Sequence, residues 1–276
     1  MFKLHVYWHS MNRNDGKENY GDALAPYICS KLSGKVVTRV NFIKSKKYKY
    51  LFKHYFTIGS IIKRVTEKSI VWGSGIIKVD EQVANAKFLA VRGPRTRKRL
   101  LELGYDVPEN YGDPALLLPQ FIANDVEKKY KLGIIPHFVD HEKISEIFKN
   151  HNDIAIINLI TNDVVETTHK ILQCESIISS SLHGVIVSHT YSIPALWLKF
   201  SNSLSGDNVK FYDYFESVGI DYNKEFVFDK DLISEKALLD LLQKHTDLSL
   251  PDKDVIAFRR EQLLSTCPFY KKNGYI

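Results

Sequence analysis

Short apolar runs that end in glycine recur through the first half of this chain. Three such units follow one another: Phe56-Thr57-Ile58 before Gly59, Ser69-Ile70-Val71-Trp72 before Gly73-Ser74-Gly75, and Phe88-Leu89-Ala90-Val91 before Arg92-Gly93-Pro94. Apolar runs without polar alternation indicate strands that are buried on both faces, as in parallel sheets. Glycine after such a strand marks a place where backbone or ligand approaches closely. The units therefore predict the loops at the carboxyl ends of parallel strands, where α/β sheets bind ligands.

A second series of apolar runs follows a polar segment at 122–129, which we interpret as a linker. These runs have the length of strands and alternate with helical segments. They lie at 132–135, 154–159, 176–178 and 195–198. The alternation predicts an α/β fold with two Rossmann-like domains, at residues 1–121 and 130–250. Residues 251–276 contain one more predicted helix, which we expect to pack back on the first domain.

Composition narrows the class of protein. The net charge of +6 suits anionic small molecules, lipid headgroups or nucleic acid, without deciding among them. Three widely spaced cysteines fit no metal-site pattern and indicate free thiols, and no acidic cluster indicates a metal. The N-terminus is too short and mixed for a signal peptide, and no apolar run has membrane-spanning length. We expect a cytoplasmic protein, with peripheral contact to the inner face of the membrane left open.

One basic stretch, residues 44–53, interleaves lysines with aromatic residues. Such a stretch could bind nucleic acid or anionic lipid. A solvated loop is the commoner outcome for a run of charges. We therefore expect no nucleic-acid partner.

The segment Ser179–Gly184 has the features of a ligand-binding turn. The run before it predicts a buried strand, and the run after it, Val185-Ile186-Val187, predicts a helix. Serine is a common N-cap residue, and glycine would let the backbone approach a ligand. A helix N-terminus favours an anion, and His183 adds one imidazole there. An ordinary strand-to-helix turn with a chance histidine is the alternative.

Two arginines mark the start of another predicted helix. Arg92 comes just before Pro94, which suits a first helical position, and Arg95 follows it. Cations at a helix N-terminus oppose the helix dipole, so local stability does not explain them. We expect an anionic ligand near both arginines, with salt bridges to a neighbouring element as the alternative.

The order and spacing of several short motifs resemble the polysaccharide pyruvyl transferase family. The motifs are Asn19-Tyr20-Gly21-Asp22, Trp72-Gly73-Ser74-Gly75, Val91-Arg92-Gly93-Pro94, Gly112-Asp113-Pro114-Ala115, Ile135-Pro136-His137, Ser181-Leu182-His183-Gly184 and Tyr191-Ser192-Ile193-Pro194. In the last motif serine stands where the family usually has glycine. The resemblance implies a GT-B-like fold with the active site in a cleft between two domains.

The resemblance also implies transfer of pyruvate from phosphoenolpyruvate onto a sugar as a ketal, usually in the synthesis of a surface polysaccharide such as a capsule or exopolysaccharide. Phosphoenolpyruvate would be a donor substrate, and no separate cofactor is expected. Arg92 and Arg95 would bind its carboxylate, and the turn at His183 its phosphate. His183 is the first candidate for acid/base catalysis and His137 the second. The motifs add further substrate-binding candidates: Asn19, Asp22, Gly73, Ser74, Gly75, Asp113, Ser181, Leu182 and Gly184.

Other functions stay open at this point. A glycosyltransferase that uses a nucleotide sugar would share the two domains and a basic cleft. A non-catalytic family member would keep the fold without turnover. The acceptor sugar, and whether a lipid carries it, are not defined by the sequence.

Overall fold

Two five-stranded parallel sheets form the framework of the protein. The computed structural model describes residues 3–11, 13–40, 51–201, 206–228 and 234–270. The strands of the first sheet are β1 (Lys3–Tyr7), β3 (Val36–Arg39), β4 (His54–Phe56), β5 (Ser69–Trp72) and β6 (Lys87–Ala90). They are ordered β3-β1-β4-β5-β6. The core strands of this sheet carry fully buried side chains such as Val6, Phe56 and Val71, as predicted for strands covered on both faces.

The second sheet is built in the same way. Its strands are β7 (Tyr130–Ile135), β8 (Ile154–Ile156), β10 (Cys174–Ser179), β11 (Ala195–Lys199) and β12 (Phe226–Val227). They are ordered β12-β11-β10-β7-β8, again with parallel pairing throughout. The prediction of an α/β fold with parallel sheets is therefore confirmed.

Helices connect the strands in both halves. They are α1 (Tyr20–Ser33), α2 (Pro94–Glu102), α3 (His141–Phe148), α4 (Val164–Leu172), α5 (Leu182–Thr190), α6 (Val209–Ser217), α7 (Glu235–Lys244), α8 (Thr246–Ser249) and α9 (Lys253–Thr266), with 3₁₀ helices at Ile62–Arg64 and Pro114–Gln120. Within the described ranges, no helix combines the length and apolar character needed to cross a membrane.

Several boundaries differ from the sequence-based prediction. With Asp22 as the N-cap, the sequence predicts a helix from Ala23 to Leu32. Helix α1 begins three residues earlier, because the Asn19 side chain accepts the capping hydrogen bond from the Gly21 N–H. The sequence also predicts a helix from Val164 to Cys174, but α4 ends at Leu172, since Cys174 already pairs with Tyr130 in the second sheet. The basic stretch at 44–53 falls largely on residues 41–50, outside the described residues.

A short two-stranded sheet joins residues of the two halves. Strand β2 (Glu18–Asn19) pairs antiparallel with β9 (Ile160–Thr161). The next residue, Tyr20, donates its N–H to the Leu159 carbonyl at 2.7 Å. The Tyr20 hydroxyl lies 2.7 Å from Thr168 Oγ1 on α4. These bonds fix the first turn of α1 against the second half.

Helix α9 contacts the first half as well as the second. The Trp72 indole N–H donates to the Leu263 carbonyl at 2.9 Å. Arg260 Nε donates to the Leu116 carbonyl at 2.8 Å, and Arg260 Nη2 to the Thr190 carbonyl at 2.6 Å. The boundaries at 121, 130 and 250, and the arrangement of the halves as in GT-B enzymes, stay predictions.

Candidate active site

A cavity of about 500 Å³ opens where loops from both sheets meet. Its lining comes mostly from the segments that follow β1, β4, β7 and β10, at the carboxyl ends of these parallel strands, with Ile77 after β5 and Lys210 after β11. Seven of its lining side chains are charged or titratable through imidazole: His9, Asp22, Lys63, Arg64, His137, His183 and Lys210. Cavities with convergent polar groups at strand ends are the usual location of active sites in α/β proteins.

His183 lies in the first turn of α5, directly after β10. The turn before it is held by serines, but differently from the prediction. Ser181 occupies the N-cap position without a side-chain capping bond, whereas Ser179 Oγ accepts from the Ser181 N–H at 3.0 Å. Ser180 Oγ accepts from the His137 N–H at 2.8 Å. The serines therefore tie together the turns that carry the two histidines.

Asp113 faces His183 from the first half. It is fully buried, and its Oδ1 accepts the Ala115 N–H at 2.9 Å, which caps the 3₁₀ helix Pro114–Gln120. Its Oδ2 lies 3.6 Å from His183 Nε2. Within the described part of the chain, neither of these two buried atoms has a hydrogen-bond partner. An imidazole that faces a buried carboxylate is held in orientation and stabilised when protonated.

Gly21 makes room for the imidazole. A Cβ atom at this position would lie 2.0 Å from His183 Nδ1 and 2.6 Å from its Cγ. Gly21 lies in the first turn of α1 and does not have a positive φ, so its backbone conformation does not require glycine. Glycine is required there because the imidazole of His183 approaches so closely.

Two oppositely charged groups in the cavity have pKa values displaced toward neutrality. Burial raises the pKa of Asp22 to about 7, and nearby His183 opposes that rise. Burial lowers the pKa of Lys210, on α6, to about 8, and Arg92 adds to the decrease. Both groups can therefore exchange protons close to physiological pH, which suits acid/base chemistry.

His137 follows β7 and lines the same cavity. Burial and, less strongly, the charge of Lys210 lower its pKa to about 4. Its ring lies 4.3 Å, centroid to centroid, from that of Phe138, which also lines the cavity and is 39% exposed. His137 is therefore neutral at pH 7 and suited to accept a proton or a hydrogen bond.

The structure gathers six of the predicted site residues at the cavity. The six are Asn19, Asp22, His137, Ser181, Leu182 and His183. Asp113 lies behind His183 and reaches the cavity through it. Gly184 does not line the cavity; a Cβ there would lie 2.4 Å from Ser179 Oγ, so this glycine serves the packing of the turn.

Arg92 is fully buried and its charge is already compensated. Its Nε lies 3.0 Å from Asp213 Oδ2, its Nη1 donates to Ser60 Oγ at 2.7 Å, and its Nη2 donates to the Ile76 carbonyl at 2.8 Å. It contributes nothing directly to the cavity lining. The anion that we expected from a ligand is supplied here by α6.

Arg95 also forms an ion pair with an acid of α6, but at the surface of the protein. Its Nη2 lies 2.7 Å from Glu216 Oε1, also on α6, and its guanidinium lies 4.6 Å from the centroid of the Tyr212 ring. It is not a lining residue of the cavity. Salt bridges to a neighbouring element therefore account for both arginines.

The loop Gly73-Ser74-Gly75 packs inside the protein behind the cavity. A Cβ at Gly73 would lie 2.3 Å from Pro114 Cδ, and one at Gly75 would lie 2.5 Å from Arg92 Cζ. Ser74 is fully buried, and its hydroxyl has no hydrogen-bond partner among the described residues. These residues position Asp113 and Arg92, and they do not line the cavity.

Four charged or imidazole side chains of the cavity were missed by the sequence analysis: His9, Lys63, Arg64 and Lys210. Lys63 and Arg64 follow Gly59 and Ser60, so the first strand-and-glycine unit already indicated their place at a strand end. Lys210 had no such signal, because it follows a polar segment and opens an aromatic helix. In the described ranges, no three His, Cys, Asp or Glu side chains are grouped so as to hold a metal ion.

Comparison with known proteins identifies the family. The profile of the polysaccharide pyruvyl transferase family matches residues 19–202, about two thirds of the chain. The chain belongs to this family. The match contains every cavity residue named above except His9 and Lys210, and also contains Asp113.

Two relatives extend the comparison. The chain is 31% identical over 268 residues to uncharacterized protein L143 of Acanthamoeba polyphaga mimivirus, covering 93% of this chain and 90% of that protein. It is 25% identical over 171 residues to succinoglycan biosynthesis protein ExoV of Rhizobium meliloti (strain 1021), covering 59% of this chain and 51% of that protein. The family and the second relative support a role in pyruvyl transfer during polysaccharide biosynthesis.

Proposed function

We propose that this protein transfers pyruvate from phosphoenolpyruvate onto two hydroxyls of a saccharide, forming a ketal. The observation that carries the proposal is the pair His183 and Asp113, in which Asp113 lies behind His183 at the wall of a cavity that is also lined by cations and by a second acid, Asp22. Family membership supplies the reaction class. A trianionic donor near neutral pH needs several cations, and Lys63 and Arg64 provide two of them.

The reaction requires two proton transfers. Two saccharide O–H bonds break, and both oxygens bond to the central carbon of the donor. One proton adds to the terminal CH₂ carbon, which becomes a methyl group. The other proton leaves with the phosphate as its bond to carbon breaks. Two groups that titrate near neutrality are therefore needed, unless one group acts twice.

His183 is our proposal for the group that removes the acceptor proton. Its Nε2 faces Asp113, so a protonated imidazole is stabilised at the moment when charge develops on it. Asp22 is our proposal for the second group, because a carboxyl with a pKa of about 7 can donate a proton at neutral pH. His137, neutral at pH 7, would accept a hydrogen bond from a substrate hydroxyl.

Phe138 offers a place for the acceptor. Its ring is 39% exposed beside His137 at the cavity. An aromatic face next to polar groups can cover the apolar face of a sugar ring while its hydroxyls are hydrogen-bonded. A lipid-linked acceptor and a location at the inner face of the membrane stay proposals.

The experiment is a ligand panel followed by an assay on the purified full chain. Thermal shift with phosphoenolpyruvate is compared with shifts by nucleotide sugars, since a ligand that binds the native state raises its melting temperature. Stabilisation by phosphoenolpyruvate, followed by release of inorganic phosphate and gain of a pyruvyl group by an added oligosaccharide, would support the proposal. Stabilisation by a nucleotide sugar alone would instead indicate a glycosyltransferase. If neither ligand binds, the protein would be a non-catalytic member of the family.

A further inference from the structure

Lys210 is a cation of the cavity that forms no ion pair with any carboxylate of the described residues. It is half-buried, and its Nζ lies 5.3 Å from the centroid of the Phe211 ring. No carboxylate of the described residues lies within 4.0 Å of its Nζ, and no hydrogen bond is formed by this ammonium group there. By contrast Lys199, also in the second half, pairs with Glu225.

Three features of its surroundings oppose a positive charge at this position. Lys210 is the second residue of α6, where the helix dipole disfavours cations. Burial and the neighbouring charge of Arg92 both lower its pKa. Only Asp22, across the cavity on α1, favours its protonated form, and that carboxyl is itself half protonated near pH 7. A cation kept under these conditions needs an anion, and the described residues place no carboxylate within ion-pair distance of it.

Arg92 and Arg95 need no external anion, because each already forms an ion pair, with Asp213 and Glu216 respectively. Both of these carboxylates belong to α6, the helix that carries Lys210. The acids of α6 thus pair with arginines of the first half, whereas the lysine of this helix lies at the cavity. Phosphate is the anion in the proposed reaction whose charge increases as its bond to carbon breaks.

We propose that Lys210 binds the phosphate group of the donor and of the released product. The inference rests on the proposed function for the identity of the donor, but not for the existence of the anion site. The charged and titratable groups around Lys210 come from three neighbouring elements. Asp22 on α1 raises the pKa of Lys210 and Arg92 after β6 lowers it, while His137 after β7 has its own pKa lowered by Lys210. Because His137 is neutral at pH 7, it adds no positive charge that would bind the anion in place of Lys210.

The test compares three variants of the full chain: Lys210→Met, Lys210→Arg and Lys31→Met. Lys31 is the matched control, because its Nζ lies 5.5 Å from the centroid of the Tyr27 ring and it lies outside the cavity. Calorimetry measures dissociation constants for inorganic phosphate and for phosphoenolpyruvate, and thermal unfolding measures stability. Lys210→Met should weaken phosphate binding about tenfold or more, while Lys210→Arg and Lys31→Met stay within about threefold of wild type.

Stability separates a ligand-binding role from a structural one. Removing an uncompensated cation from a helix N-terminus should leave the melting temperature of Lys210→Met unchanged or higher. A lower melting temperature with unchanged phosphate affinity would overturn the inference. If Lys210→Met does not fold, sulfate affinity of the wild type decides: it should weaken as pH rises from 7 to 9, whereas Lys210→Arg should hold its affinity.

The outcomes distinguish this inference from the proposed function. If the wild type binds phosphate but not phosphoenolpyruvate, and Lys210→Met loses the phosphate binding, the anion site is supported and phosphoenolpyruvate is rejected as the donor. Equal binding of phosphoenolpyruvate by wild type and Lys210→Met would keep the donor and reject the role of Lys210. Binding of neither anion by the wild type would reject both.

Discussion

Arg92 and Asp213 form an ion pair in which both side chains are fully buried, with Arg92 Nε 3.0 Å from Asp213 Oδ2. The same carboxylate accepts the Thr96 N–H at 2.8 Å and its hydroxyl at 2.7 Å, so it also caps α2. One carboxylate on α6 therefore connects the second half to the loop after β6 and to the helix that follows.

Replacing Arg92 by alanine should destabilise the protein rather than weaken donor binding. Removal of one member of a buried ion pair leaves the other charge uncompensated, which costs about 3–5 kcal/mol of the free energy of unfolding. Urea denaturation checks this, with Arg95→Ala as control, because its half-exposed pair with Glu216 is worth about 0–1 kcal/mol. A stable Arg92→Ala protein with tenfold weaker phosphoenolpyruvate binding would return this arginine to the donor site.

The contrast between Arg92 and Lys210 shows which features of the site could be predicted from the sequence and which could not. The strand-and-glycine units predicted the parallel sheets, and the turn at His183 was placed correctly at a strand end. A sequence shows that a cation sits at a helix start, but not which distant acid faces it. Asp213 lies 121 residues from Arg92, so only the packed structure reveals the pair. That Lys210 has no such partner among the described residues was equally hidden.

Glycine at position 21 should be required for activity more than for folding. A Cβ atom would lie 2.0 Å from His183 Nδ1, so Gly21→Ala must displace the imidazole. Alanine is a better helix former than glycine, by roughly 1 kcal/mol, which offsets part of the strain. We expect a loss of turnover of roughly a hundredfold with a melting temperature near that of the wild type, measured on one preparation.

A double-mutant cycle sharpens the prediction for Gly21. Asparagine in place of His183 is shorter than the imidazole and relieves the clash. Gly21→Ala should therefore cost no further activity in the His183→Asn background, a coupling that independent sites do not show. Additive losses would mean that Gly21 acts through the backbone of α1 and not through His183.

Asp22 should make stability depend on pH in the direction opposite to an ion-paired acid. Its folded pKa of about 7 lies above the ordinary value for aspartate, because burial disfavours the charge. The stability that this carboxyl contributes is thus fully present below about pH 4 and is lost as pH rises through 7. Asp22→Asn should equal the wild type near pH 4 and exceed it at pH 8 by on the order of 1 kcal/mol. Denaturation curves at both pH values test this, and a wild type that is more stable than Asp22→Asn at pH 8 would contradict it.

His183 and Asp113 allow the sharpest test of the proposed chemistry, since the two residues should fail in different ways. Asparagine at position 183 can keep a hydrogen bond but cannot carry a proton. His183→Asn should therefore fold and bind phosphoenolpyruvate, yet lose on the order of a hundredfold or more in turnover. Asp113→Asn keeps the cap of the 3₁₀ helix through its amide oxygen but removes the charge 3.6 Å from His183 Nε2.

The charge of Asp113 lies opposite the imidazole, so its removal should weaken the stabilisation of the charge that develops on His183 as it accepts a proton. Turnover of Asp113→Asn should then fall by on the order of tenfold or more, and adding this change to His183→Asn should cost no further activity. A structural role for His183 predicts a different pattern: the melting temperature would fall while turnover per folded molecule stays near that of the wild type. Turnover and the melting temperature, measured on the same preparations of the wild type and the variants, therefore decide whether this pair moves a proton or only packs the turn.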